Sequence, residues 1–307
     1  MFQAVFSTLY QIIVPISIPV ICGALLKYFK DLETRPLITI YLYFLSPAII
    51  LDTLTTAEIS FDDVYKTVTY CILNLLVLCL AAKILGKLIK LPSSENAALT
   101  MVSTLTNSVN YGLPPVLLAF GSSGLDKASV YVVTQMILVN TIGVYFAARS
   151  QFSIINAAKA IFSLPAIYAA LLAIFLRLNE FHFPNAIANG ISMVSLAYSP
   201  IVLAILGAQM MSVKFNKLNR NEESAFWSGL FIRLILSPFI ALFCLYILNI
   251  ESTLFLVLFI LSCMPVAVNA GVLAEKFNSS SNIVANCILW TTLASFIILP
   301  ILITVVR

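Results

Sequence analysis

The stretch Thr104-Leu105-Thr106-Asn107-Ser108-Val109-Asn110-Tyr111-Gly112-Leu113-Pro114-Pro115 places two Asn, two Thr, a Ser, a Gly and two Pro inside an apolar run long enough to cross a bilayer. Lipid cannot satisfy the backbone that such a sequence frees, so a break here must line a cavity enclosed by protein. Pro114 and Pro115 lack N–H donors, and Pro114 also disfavours helical geometry at Leu113. The chemistry on offer is anion binding. The N–H groups at a helix start carry a partial charge of about half a proton, and Asn amides add neutral donors. Together they can hold a carboxylate reversibly. On this reading Asn107, Asn110 and Gly112 line a substrate site, and Pro114 and Pro115 start the second half-helix, where a missing N–H costs nothing.

A second stretch has the same character. Met264-Pro265-Val266-Ala267-Val268-Asn269-Ala270-Gly271 sets a Pro, an Asn and a Gly in another apolar run. Asn269 is expected in the same site, with Pro265 and Gly271 shaping the break. Gln135 and Asn140 offer further polar lining. Asp52, beside Thr53, Thr55 and Thr56, reads either as a supporting polar site or as a solvated helix end. Arg233 stands about ten ångströms inside its segment by helical rise. It is expected to snorkel to the surface, with an electrostatic lure for anions as its alternative role. No Lys or Arg lies near either break in sequence, so backbone N–H groups and Asn amides, not a salt bridge, are expected to hold the ligand.

Other chemistries lack their residues. The six Cys all fall in apolar segments without a Cys-x-x-Cys pair, and the single His, His182, is in a loop. No His-Glu-x-x-His, buried Ser/His pair or paired mid-segment Asp is present, so neither catalysis nor a bound metal or other cofactor is expected.

The elements that must position these residues follow from composition. Of 307 residues, 61% are hydrophobic and 10% charged, against about 25% charged in soluble domains. The chain reads as an all-α polytopic membrane protein. A net charge of +4 is too small and dispersed for nucleic-acid binding. Ten apolar segments are long enough to span: 5–29, 37–56, 66–89, 95–120, 128–149, 159–179, 186–212, 226–249, 252–276 and 280–305. The first continues beyond the length of a signal peptide's apolar core and lacks a basic flank, so no cleavable leader is expected. With the N-terminus outside, twelve Lys and Arg fall on the inner side and four on the outer, which predicts a cell-membrane protein with both termini outside.

The halves 1–150 and 151–307 echo each other. Pro19-Val20-Ile21-Cys22-Gly23-Ala24-Leu25-Leu26 matches Pro165-Ala166-Ile167-Tyr168-Ala169-Ala170-Leu171-Leu172, and Leu45-Ser46-Pro47 matches Tyr198-Ser199-Pro200. Gln135-Met136-Ile137-Leu138-Val139-Asn140-Thr141 matches Asn286-Cys287-Ile288-Leu289-Trp290-Thr291-Thr292. Five spans per repeat is odd, so the second copy must be inverted, an arrangement found in secondary transporters with interrupted helices at the midplane. The register between the two breaks is open: Asn110 pairs with Asn269, or Pro114 with Ala270.

Thr104-Leu105-Thr106-Asn107 followed by Gly112-Leu113-Pro114 resembles the fourth-helix motif of the auxin efflux carrier family, which includes the plant PIN carriers and bacterial organic-acid permeases. Met264-Pro265 through Val272-Leu273-Ala274-Glu275-Lys276-Phe277 resembles the ninth-helix motif, and Leu51-Asp52-Thr53-Leu54 an Asp-Thr-Leu of the second helix. The resemblance covers essentially the whole chain. It implies a five-plus-five inverted repeat of the bile-acid-symporter and NhaA type, with helices 4 and 9 broken and crossed. Helices 1, 2, 6 and 7 would form a scaffold, often dimeric, and helices 3–5 and 8–10 a moving transport domain. It implies a small organic anion as substrate, contacted by Asn107 and carried by alternating access, with Asp52 in a supporting site. Thr56 replaces the Lys that plant carriers have four residues after that Asp, which weakens a relay role for Asp52. Uniport, proton coupling and sodium coupling of the bile-acid-symporter type remain open, as does a membrane sensor without flux.

Overall fold

The computed structural model describes residues 9–56, 60–143, 145–146, 165–211, 218–277 and 279–306. The chain is a bundle of helices. A π turn, Leu9–Ile13, leads into α1 (Val14–Lys30). Then come α2 (Thr34–Ile40), a π turn Tyr41–Leu45, and α3 (Ser46–Thr56). α4 (Phe61–Leu88) starts on Ser60, whose hydroxyl accepts from the Asp63 N–H at 3.0 Å. α5 (Ser93–Thr104) ends abruptly, and after a gap the π turn Ser108–Gly112 opens α6 (Leu113–Leu138), followed by the π turn Val139–Gly143. The second half has α7 (Pro165–Leu178), α8 (Asn185–Leu196) and α9 (Tyr198–Met211). α10 (Arg220–Phe231) begins on an Asn219/Glu222 capping box. It passes through the π turn Ile232–Leu236 into α11 (Ser237–Ile247). α12 (Ser252–Ser262), α13 (Val268–Lys276) and α14 (Ser281–Val306) complete the chain.

Proline explains the π turns. Four of the five described ones are followed, two residues on, by a proline: Pro15, Pro47, Pro114 and Pro238. A proline inside a helix removes one N–H and clashes with the carbonyl four residues back. Widening the preceding turn relieves that clash while the helix continues.

Six helical stretches among the described residues are long and apolar enough to cross a membrane: Thr34–Thr55, Phe61–Leu88, Leu113–Leu138, Asn185–Met211, Arg220–Ile247 and Ser281–Val305. Pro165–Leu178 and Ser252–Ser262 are shorter apolar helices. The expected segments 37–56, 66–89, 186–212, 226–249 and 280–305 coincide with members of the first group. Segments 95–120 and 252–276 are each broken in two, as the Pro and Asn content predicted. The boundary between 95–120 and 128–149 is a corner within α6, at Gly121 with φ 67°; only glycine enters that conformation freely. Residues 1–8, 147–164 and 307, which fall in or beside expected spans, lie outside the described residues.

The bundle exposes large apolar side chains, and its largely apolar interior also holds buried polar groups. Leu76 and Leu80 on α4, Phe175 on α7, and Phe239 and Phe243 on α11 are exposed. Thr67, Asn74, Ser103, Asn107, Gln135, Arg233, Ser262, Thr291 and Ser295 are buried. Packing falls into two groups. α1 lies along α9, and α3 along α7 and α8. The α1–α9 approach depends on glycine: a Cβ at Gly23 would strike the Ala204 carbonyl, and one at Gly207 the Val20 carbonyl. The other helices pack among themselves: α4 with α5 and α6, α12 with α6, and α10 and α13 with α14. The groups meet where α9 rests on the π turn Ser108–Gly112 and α3 rests on α6.

Candidate functional site

The two breaks meet. At the end of α5, Leu105 turns extended (φ −94°, ψ 111°), which frees two residues to pair as a strand would. Thr106 forms an antiparallel bridge with Val266. The Asn107 N–H donates to the Pro265 carbonyl at 2.8 Å, and the Ala267 N–H donates to the Leu105 carbonyl at 2.9 Å. These are the two reciprocal bonds that flank an antiparallel bridge.

Side chains complete the pairing. Thr291 on α14 accepts from the Val266 N–H at 3.1 Å while donating to the Cys287 carbonyl at 2.6 Å. Thr106 donates to the Ser108 hydroxyl at 3.0 Å. Tyr70 on α4 and Tyr131 on α6 bring their hydroxyls to the Ser262 hydroxyl, at 2.7 and 3.4 Å. Ser262 ends α12, so two helices grip the rim of the second break.

Arg233 stands at the centre, where the sequence reading had it snorkelling to the surface. It is buried, with 1% of its surface exposed. Its Nη1 donates to the Ser103 carbonyl at 3.1 Å, and its Nη2 donates to the Ser262 carbonyl. These carbonyls belong to the last turns of α5 and α12, the half-helices that stop at the crossing. No Lys or Arg lies near either break in sequence, but Arg233 reaches the ends of both in space. A signal was present: Arg233 sits five residues before Pro238, inside the widened turn that this proline causes, and π turns frequently mark functional positions.

The expected site residues divide as follows. Asn107 is buried at the crossing, and its Nδ2 has no hydrogen-bond partner. Gln135 is also buried, with Oε1 unpartnered, one helical turn beyond Tyr131 on the same face of α6. Pro265 contributes its carbonyl to the pairing, and Pro114 and Pro115 are buried in the first turn of α6. Gly112 serves packing: a Cβ there would meet Leu261 Cδ2 at 2.6 Å. Gly271 packs closely on Ile288 of α14, whose Cδ1 a Cβ there would approach to 3.2 Å. Asn269, in the first turn of α13, is exposed. The side chains of Asn110 and Asn140 lie outside what the structure describes. Asp52 is half-buried on α3, the helix that packs with α7 and α8. Among the described residues no group of three or more His, Cys, Asp or Glu is placed to hold a metal ion.

What the arrangement can do chemically is set by its charges. Two helix C-termini point at the crossing, each about −0.5, and two helix N-termini leave it, each about +0.5. Arg233 covers the first pair.

A family model described as membrane transport protein matches residues 149–303, half of the chain. The chain belongs to this family, that of the auxin efflux carriers. The matched part contains Arg233 and the break between α12 and α13. The chain is similar along its length to an uncharacterized transporter of Methanocaldococcus jannaschii, 26% identical over 308 residues, covering 95% of this chain and 96% of the relative. It is also 28% identical over 213 residues to an uncharacterized transporter of Methanothermobacter thermautotrophicus, covering 69% of this chain and 68% of that one. This is a multi-pass membrane transporter.

Proposed function

We propose that the protein is a secondary carrier that moves a small organic anion, a carboxylate, across the cell membrane by alternating access. The observation that carries this reading is the paired break: two interrupted helices hydrogen-bonded through Asn107–Pro265 and Leu105–Ala267, with the Asn107 Nδ2 buried and unpartnered beside them. A buried donor without a partner costs about 1–3 kcal/mol, and a carboxylate oxygen would recover that. The N–H groups of Ser108–Asn110 and Val268–Asn269 begin helices and lack partners within them. They favour an anion for the same reason.

In this reading ten crossings form two inverted five-helix repeats, whose broken members meet at Thr106 and Val266. The helices α1–α3 and α7–α9 act as the scaffold, and α4–α6 with α10–α14 as the transport domain that shifts past it. The division of packing contacts supports this grouping. The glycine-dependent α1–α9 contact suits a part that stays rigid. Both termini lie outside.

The test is uptake or counterflow of radiolabelled carboxylates in proteoliposomes containing the purified protein. Flux of a carboxylate that Asn107→Ala abolishes supports the reading. Absence of flux for every mono- and dicarboxylate tried, with folded protein in the vesicles, overturns it. Ion currents through single molecules in place of slow, saturable flux would make it a channel.

A further inference from the structure

Arg233 is a fully buried cation that the carrier reading does not yet use. Its guanidinium spans the Ser103 and Ser262 carbonyls, the C-terminal ends of two different half-helices, and Ser237 adds a hydroxyl to the Ser262 carbonyl at 3.3 Å. No carboxylate among the described residues forms an ion pair with it. A buried, unpaired guanidinium is expensive. The two half-helix ends supply what compensates it, together about one negative charge. In transporters with broken helices, such ends and unwound carbonyls coordinate sodium or take part in proton binding. Here the coordinating carbonyls are already occupied by the protein's own side chain.

We propose that Arg233 is a tethered cation: it holds both half-helix C-termini at the crossing and stands permanently where a dissociable coupling ion would otherwise bind. Resting on the carrier reading, this deepens it by naming what sets the charge of the site. The C-terminal ends and the guanidinium cancel, and the two N-terminal ends remain, with about one positive charge between them. A site of that charge takes a carboxylate without needing sodium to complete it. Arginine suits the task because its planar fork presents donors to two acceptors at once, whereas a lysine ammonium is a compact point charge.

The experiment is a melting curve of the purified full-length protein in sodium, potassium and choline chloride at equal ionic strength. It needs no substrate. The wild type is expected to melt at one temperature in all three salts. Arg233→Gln is expected to melt lower by about 5 °C or more in choline and to recover part of that loss as sodium is raised. Arg233→Lys is expected to lie between the two and to ignore the choice of salt. A sodium-specific rise in the wild type, or an Arg233→Gln protein that melts alike in all salts, overturns the proposal. If Arg233→Gln yields no folded protein, Arg233→Lys decides: indifference to sodium supports the tethered cation and a sodium-specific rise overturns it. Failure to transport any carboxylate would leave these curves unmoved, so the two readings fail separately.

Discussion

The Asn107 backbone N–H is bonded to the Pro265 carbonyl at 2.8 Å, while the Asn107 side-chain amide nearby has no partner. The backbone fixes the residue in place, and the side chain is left for something else. Proline suits the accepting side, because Pro265 has no N–H to satisfy and its carbonyl is free to pair.

Asn107→Ala should therefore weaken carboxylate binding without unfolding the crossing, since the backbone bond survives. A hydrogen bond to a charged group contributes about 1.5–3 kcal/mol, which corresponds to roughly 10- to 150-fold in affinity. Asn107→Asp should be worse, because it sets a negative charge against the anion. Isothermal titration or ligand-induced stabilisation of each variant checks this. Equal affinity in wild type and Asn107→Ala would place the ligand elsewhere.

Thr291→Val should lower thermal stability. The Thr291 hydroxyl accepts from the Val266 N–H at 3.1 Å, and a valine leaves that buried N–H unsatisfied, at a cost of about 1–3 kcal/mol. Thr291→Ser keeps the acceptor and should restore most of the loss. The comparison of the two melting temperatures separates the hydrogen bond from simple packing.

The breaks were legible because proline, asparagine and glycine are conspicuous in an apolar run. Their pairing was not, because it is fixed by backbone bonds that any residue can make. Arg233 is buried and not at the surface because depth along a helix does not measure distance from water inside a bundle. Its neighbours in space are Ser103 and Ser262, 130 and 29 residues away in sequence. Gly112 and Gly271 signalled a special position correctly, and the structure makes that position one of close packing against Leu261 and Ile288.

Gly23→Ala and Gly207→Ala should each destabilise the α1–α9 pair. The added Cβ meets backbone carbonyls, of Ala204 and Val20, and not a side-chain tip that can rotate away. Gly190, where a Cβ meets nothing within 4 Å, is the control; Gly190→Ala should be neutral or slightly stabilising, since alanine is the better helix former by roughly 1 kcal/mol. Melting temperatures of the three variants check the assignment. A Gly23→Ala protein as stable as Gly190→Ala would mean that the helices are further apart than they are here.

The pH dependence of binding should follow the substrate and not the protein. Among the described residues, those that meet at the crossing supply a guanidinium, amides, hydroxyls, buried thiols and backbone, while His182 stands in the loop between α7 and α8. Asp52 lies on α3, which packs with α7 and α8, so Asp52→Asn should alter affinity far less than Asn107→Ala. For a carboxylate, the bound form is the ionised one, so affinity should be constant at neutral pH and fall about tenfold per unit below the substrate's own pKa. Two substrates of different acidity should then show profiles displaced by the difference in their pKa values. A profile that stays at one pH for both, and moves in Asp52→Asn, would assign the titrating group to the protein.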